Sequence, residues 1–267
     1  MKLHFKKEGQ GSPIVIVHGL YGSSDNWLAI SKRLSDHHQV YAIDLRNHGR
    51  SPHHPEHTYQ GMVDDLARFF DDHHIERATL LGHSMGGKTA MLFAADYPER
   101  VEKLVIADIA PKDYLRLGDE SQYHLHRTIL MAMMEINFEF VKTRQDVADS
   151  LAEKIGSPDI IQFLLKNVAV DTKSKKLHWR LNVEALYNHL EEIVEGGNEK
   201  YFEDRLPVTV YPVVFIRGLK SPYIRDEDIP RILRIYPDAQ IIDIPDAGHW
   251  LHAEQPELFM QAVLQCC

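Results

Sequence analysis

Continuous apolar runs, each closed by a turn signal, recur along the first part of the chain, and the stretches between them carry apolar residues at helical spacing. Pro13 to Val17, Gln39 to Ile43, Ala78 to Leu81 and Lys103 to Ala107 read as buried strands. Trp27 to Leu34, Tyr59 to Phe70 and Lys88 to Ala95 read as helices, and Leu3-His4-Phe5 as an added edge strand. Strands that are apolar on both faces and alternate with helices predict a parallel sheet covered on both sides. The pattern then breaks. From Lys112 to Leu206 no buried strand stands out, and helical stretches follow one another: Ser121 to Glu135, Arg144 to Ile155, Asp159 to Lys166 and Asn182 to Val194. Asp171 to Lys176 reads as a solvated loop. Strands resume at Pro212 to Ile216 and Gln240 to Ile244, and Glu257 to Leu264 is a last helix. The expected organisation is a core formed by 1–111 and 207–267, interrupted by a helical lid over 112–206, since an insertion of that length inside a compact domain is usually functional. Met131, Met133, Met134, Phe138, Phe140, Phe163 and Leu164 make the insertion apolar, and most of them are expected to pack it against the core.

Bulk properties narrow the function. With 267 residues and 44% hydrophobic composition the chain can build one large core. A net charge of −9 gives nucleic-acid binding no electrostatic support. No apolar run reaches transmembrane length and the charged start, Met1 to Glu8, has no signal-peptide character, so neither membrane insertion nor export is expected. The two cysteines, Cys266 and Cys267, are adjacent at the end and cannot staple distant segments; they read as a frayed tail, and a cytoplasmic setting is the simplest one. The 17 histidines include the pairs His37-His38, His53-His54 and His73-His74, all in polar stretches without metal-ligand spacing, so surface positions are expected and no metal.

The chemistry concentrates at Gly82-His83-Ser84-Met85-Gly86, between a buried strand and a helix. In that context G-x-S-x-G is a nucleophile elbow: a serine on a sharp, strained turn, lifted clear of the sheet, with glycines that permit close backbone approach. Ser84 is therefore the candidate nucleophile. Its base must be a histidine downstream. His249 follows the last strand in Asp246-Ala247-Gly248-His249-Trp250, at the carboxyl edge where sites of open α/β sheets gather, with Gly248 expected to supply the turn. His252 is the competitor, already leading into the last helix. An oxyanion hole needs two backbone N–H groups. Met85, after the nucleophile, supplies one and Leu20, in His18-Gly19-Leu20-Tyr21-Gly22-Ser23, the other; Asp25 or Asn26 can also cap the helix starting at Trp27.

These segments resemble the α/β-hydrolase superfamily over nearly the whole chain. The resemblance is closest to the YbfF-type esterases, through His18 to Trp27, Asp44-Leu45-Arg46-Asn47-His48-Gly49-Arg50-Ser51, Gly82 to Lys88, Ser221-Pro222-Tyr223 and Gly248 to Glu254. It implies an α/β-hydrolase fold with the helical lid inserted after the sixth strand. It implies hydrolysis of small to medium acyl esters or thioesters as small-molecule substrates, without a cofactor, and a pocket floor shaped by Asp44 to Ser51. Asn47, where many relatives carry glycine, can adopt positive φ.

The acid departs from the superfamily pattern. Its usual turn reads Arg217-Gly218-Leu219-Lys220-Ser221, with serine in the acid's place. Asp108 ends the neighbouring strand, only ~4.8 Å away, and the resemblance through Ala107 to Pro111 implies the same residue. Asp226 and Asp228 are rivals, and Asp108 could instead cap the insertion's entry. The same triad would also serve a carbon–carbon bond hydrolase or a perhydrolase, and some members of the fold are small-molecule receptors.

Overall fold

In a computed structural model, residues 1–115 and 120–266 are described. The chain opens with β1 (Phe5–Glu8) and β2 (Ser12–Val17), then α1 (Leu28–Leu34), β3 (His38–Ile43), α2 (Tyr59–Asp72), β4 (Ala78–His83), α3 (Met85–Asp96) and β5 (Val101–Ala107). The inserted segment holds α4 (Glu120–Met134), α5 (Arg144–Ala152), α6 (Pro158–Leu165), the strands β6 (Val168–Val170) and β7 (Leu177–Trp179), α7 (Val183–Asn188) and α8 (Leu190–Glu195). The core resumes with β8 (Val213–Gly218), α9 (Ile229–Ile235), β9 (Gln240–Ile244), α10 (Leu251–Glu254) and α11 (Pro256–Cys266).

Seven strands form one sheet in the order β1-β3-β2-β4-β5-β8-β9. β1 is the antiparallel edge and the other pairings are parallel. Alternate strand residues feed two different cores. Ile14, Ile16, Leu81, Val105 and Ile216 pack with α1 and α11, while Val15, Val17, Leu80, Leu104, Ile106 and Phe215 pack with α2 and α3. That two-sided burial is why the strands read as unbroken apolar runs. The strand order reverses between β2 and β4, and loops leaving the carboxyl ends at such a reversal diverge and open a crevice. Register sets what lines it. Val17 lies beside Gly82, His83 beside Ala107, and Ala107 beside Ile216, so residues 18, 84 and 108 leave the sheet close together while β8 runs on to Gly218.

Several local details differ from the sequence reading. The edge strand begins at Phe5, because His4 and Leu3 precede the ladder in which Phe5 pairs with Ile43. The insertion leaves the sheet after its fifth strand and not its sixth, since the short segment ahead of Ser12 supplies a single strand. The segment 171–176 is a solvated turn as expected, but it closes a two-stranded hairpin, β6–β7, whose three-residue strands are too short to show a period; the Asp171 carboxylate gathers the N–H groups of Lys173 and Ser174 there. The stretch from Asn182 to Val194 is two helices broken at His189. Cys266 is no frayed end: it is buried as the last residue of α11, its Sγ donating to the Ala262 carbonyl. Cys267 lies outside the described residues. Among the described residues no helix is long and apolar enough to cross a membrane.

The inserted segment shares the core of the α2/α3 face through Leu130, Met133, Val147, Leu151, Leu164 and Leu186. Of the apolar residues that stood out in the sequence, Met133 and Leu164 are packed inside, whereas Met131, Met134 and Phe140 are exposed. Only Phe163 among them reaches the cavity described next.

Candidate active site

β4 delivers the chain into α3 through Ser84 alone, at φ 52° and ψ −124°. A non-glycine residue there is strained, and the surroundings leave it no alternative. Ser84 N–H donates to the Ala107 carbonyl at 3.1 Å, and its own carbonyl accepts from Lys88 N–H at 3.0 Å. A Cβ at Gly82 would meet the Gly86 carbonyl oxygen at 2.6 Å, and one at Gly86 would meet the Val17 carbonyl oxygen at 2.3 Å. Gly82 is therefore a spacer that lets α3 close on the end of β4, and Gly86 one that lets the elbow press against β2.

The structure brings Ser84, His249 and Asp108 into one line. His249 Nε2 lies 2.9 Å from Ser84 Oγ and its Nδ1 lies 2.8 Å from Asp108 Oδ2. The imidazole is held from several sides. Tyr223 stacks on its face at 3.8 Å between centroids and 18° between planes, and the His83 ring nitrogen Nε2 sits 2.8 Å from its backbone carbonyl oxygen. The Glu254 carboxylate accepts from the N–H groups on both sides, Gly248 at 2.6 Å and Trp250 at 3.1 Å. Positive φ in this loop falls on Asp246, at 59°, and not on Gly248. His252 stacks on Trp27 at 4.4 Å and 11°.

Asp108 is fully buried, with φ 50° at the end of β5. Its Oδ1 accepts from Gly218 N–H at 3.1 Å, and its Oδ2 accepts from the Ser221 hydroxyl as well as from His249. Ser221 thus occupies the turn expected to hold an acid and hydrogen-bonds to a carboxylate standing one strand away. The rivals are engaged elsewhere. Asp226 is exposed and pairs with Arg217 at 2.7 Å; Asp228 is buried and pairs with Lys112 at 2.8 Å. Burial pushes the His249 imidazole below its ordinary value and the Asp108 carboxyl above its own, the latter opposed by Ser221, Gly218 and the Arg217 charge.

A cavity of about 230 Å³ opens above these groups, walled by Leu125, Ile129, Ile160, Phe163, Pro222 and Trp250 and by the loop His18 to Gly22. A second hollow of about 30 Å³ adjoins it, reaching Tyr59, Met85, Lys88 and Ile109; Leu20, Ser84, Gln122, His126 and Tyr223 border both. Met85 is the first residue of α3, so its N–H has no carbonyl partner within the helix. Gly19 lets the loop carrying Leu20 lie against the elbow: a Cβ there would stand 3.0 Å from Ser84 Cβ. Asn47 takes the left-handed conformation at φ 65°, and its side chain binds Glu56, His54 and Asn182 across the loop after β3.

Sequence reasoning missed Lys88. It sits in the first turn of α3, fully buried, and its ammonium donates to the carbonyls of Lys112, Val194 and Gly196. Lys112 opens the insertion, and Val194 and Gly196 lie at the end of α8 within it. Burial lowers its pKa to about 7, and the Tyr114 ring face lies 4.9 Å from Nζ. The only local signal was a lysine inside an otherwise apolar helix start. The histidine pairs are exposed or half-exposed, as expected. His18, His48 and His57, by contrast, are buried around the loop after β2.

Comparisons with known proteins identify relatives of the whole chain. The family model for the alpha/beta hydrolase fold matches residues 12–256. Esterase YbfF of Escherichia coli is 37% identical over 98% of both chains. The sn-1-specific diacylglycerol lipase of Danio rerio is 37% identical over 97% of this chain and 80% of its own. Among solved structures, a marine microorganism esterase superposes with a TM-score of 0.91 at 40% identity, covering 100% of this chain and 99% of its own. An E-2-(acetamidomethylene)succinate hydrolase, at 21% identity and TM-score 0.81, shares the fold. The chain belongs to the α/β-hydrolase family. Within it the protein is an esterase of the YbfF type, a hydrolase acting on esters.

Proposed function

We propose that the enzyme hydrolyses small to medium acyl esters or thioesters through an acyl-enzyme on Ser84. The observation that carries this reading is the imidazole of His249, bridging the Ser84 hydroxyl and the buried Asp108 carboxylate at the floor of an apolar cavity. His249 takes the Ser84 proton through Nε2 as Oγ attacks the ester carbonyl, and the N–H groups of Leu20 and Met85 receive the oxyanion. The imidazolium returns the proton to the leaving alcohol or thiol. Water, deprotonated by the same nitrogen, then releases the acid. Asp108 holds Nδ1–H, which fixes the tautomer and offsets the imidazolium charge. The 1–111 and 207–267 segments form the catalytic core in this reading. Residues 112–206 act as a lid, with Leu125, Ile129, Ile160 and Phe163 setting acyl selectivity from its underside.

The test is covalent labelling combined with a chain-length series. A fluorophosphonate probe is expected to modify Ser84 and no other serine, and turnover of aryl esters and acyl-CoA thioesters to peak at short to medium chains. A rate that climbs steadily with triglyceride chain length, with interfacial activation, would refute the selectivity.

The pH profile follows from the same pair. Activity needs His249 neutral and Asp108 ionised, so both protonations contribute to the acid limb. Burial lowers the first from 6.5 to about 3 and raises the second from 3.8 to about 7, so the two titrations cross and belong to the hydrogen-bonded pair. A single acid inflection, lying no higher than about 7, is expected in kcat/KM. An inflection well above neutral pH contradicts this account.

A further inference from the structure

The turn after β2 carries a residue its backbone does not favour. Gly22 N–H donates to the Gly19 carbonyl at 2.9 Å, closing a four-residue turn whose third residue, Tyr21, has φ 62°. Positive φ at that position defines a type II turn, which glycine or asparagine ordinarily fills. A tyrosine keeps such a conformation only where its surroundings hold it.

Two side chains do so, one on each side of the residue. Tyr21 N–H donates to His48 Nε2 at 3.2 Å. The opposite ring nitrogen, Nδ1, donates to the Arg46 carbonyl at 2.9 Å, which leaves Nε2 as the acceptor. Burial keeps this imidazole well below its ordinary pKa, with His18, His57 and His53 adding to the effect and the Arg46 carbonyl opposing it, so Nε2 retains its lone pair. From the other side, Asn167 Nδ2 donates to the Tyr21 carbonyl at 2.9 Å. Both His48 and Asn167 are buried. The gripped N–H belongs to the Leu20–Tyr21 peptide, whose rotation separates a type II turn from a type I turn. Leu20 is the neighbour on that peptide, and the loop lies against Ser84 through Gly19.

We propose that His48 and Asn167 are positioning residues for the oxyanion hole: by gripping the N–H and the carbonyl of Tyr21 they hold the peptides on both sides of it, and so fix the turn whose preceding peptide, Gly19–Leu20, carries the Leu20 N–H toward the reacting carbonyl. Asn167 lies in the inserted segment between α6 and β6. Seating of the insertion and assembly of the oxyanion hole are then one event. This rests on the reading of Leu20 and Met85 as oxyanion donors.

Titration with a fluorophosphonate counts the reactive Ser84 in each sample, so kinetics can be expressed per competent site. Removing an oxyanion donor outright costs about a hundred- to a thousandfold in kcat. Loosening one by His48→Phe or Asn167→Leu is expected to cost about ten- to a hundredfold per titrated site, with KM for a short aryl ester changing less than about threefold. Affinity for a trifluoromethyl ketone, which mimics the tetrahedral adduct, should fall by the same factor as kcat/KM. His48→Gln, whose amide oxygen can accept the Tyr21 N–H, should recover part of the loss. So should Tyr21→Gly placed in the His48→Phe background, because glycine adopts the turn unaided. A role confined to stability would lower the melting temperature and the titre while leaving per-site kcat and ketone affinity at the parent values, and that result overturns the proposal. If His48→Phe does not fold, Asn167→Leu and His48→Gln decide it by the same readouts. A parent protein whose Ser84 does not label overturns the serine-hydrolase reading itself, and the proposal with it.

Discussion

Ser84→Ala will abolish turnover, lowering kcat by about six orders of magnitude, the scale seen when the nucleophile of a serine triad is removed. The change deletes one oxygen at a position whose backbone is already fixed by Ala107 and Lys88, so the fold and the cavity should survive. What disappears is the group proposed to form the acyl-enzyme. The N–H groups of Leu20 and Met85 would still polarise a bound ester, and water attacking directly would leave a small residual rate. The check is hydrolysis of a short aryl ester by the variant alongside loss of fluorophosphonate labelling. Undiminished turnover would remove the basis for every role assigned around Ser84.

Asp108→Asn should cost about 10⁴-fold in kcat, and the structure indicates the mechanism. The carboxylate receives hydrogen bonds on both oxygens: Oδ1 from Gly218 N–H, and Oδ2 from His249 and Ser221. An asparagine must keep its carbonyl oxygen toward the fixed Gly218 donor, which turns its NH₂ toward His249. The imidazole would then accept at Nδ1 and carry its proton on Nε2, facing Ser84 Oγ, where it cannot serve as base. Two controls separate this from general damage. Asp226→Asn breaks a pair at an exposed carboxylate and should leave kcat within about tenfold. Asp228→Asn removes the carboxylate charge that faces the buried Lys112 ammonium. It should therefore lower stability, with per-site kcat little changed. Near-full activity in Asp108→Asn, with loss in either control, would move the acid to the loop after β8.

The frame of the molecule was legible because it obeys periodicity. Strands buried on both faces leave unbroken apolar runs, and Val15 and Ile16 show this as clearly in the letters as in the two cores they enter. Ser84 and His249 were legible because an elbow and a post-strand loop leave local marks. Asp108 was reached by noticing a serine where an acid was due and by the resemblance through Ala107 to Pro111, and Ser221 shows the physical link: its hydroxyl binds the carboxylate that follows the neighbouring strand. Features made by distant chain segments stayed invisible. Lys88 looks like any lysine near a helix start, because the carbonyls that bury it arrive from residues 112, 194 and 196. The face-on contact of Tyr223 with His249 and the grip of Asn167 on Tyr21 join segments with no pattern in common. The apolar residues that best advertised the insertion were poor guides to its inner wall, since Met131, Met134 and Phe140 face outward.

The ammonium of Lys88 makes the insertion hard to exchange. It grows from the helix that begins at Met85; its three bonds go to Lys112, where the inserted chain leaves the core, and to Val194 and Gly196 at the end of α8 within that chain. A lid grafted here from another hydrolase would strand a buried positive charge unless it presented carbonyls at the same two places. Recombination between distant relatives at these boundaries should therefore succeed only when residue 88 travels with the donor's insertion. If the insertion sets acyl selectivity as proposed, the heritable unit of specificity is the lid together with one side chain of the elbow helix.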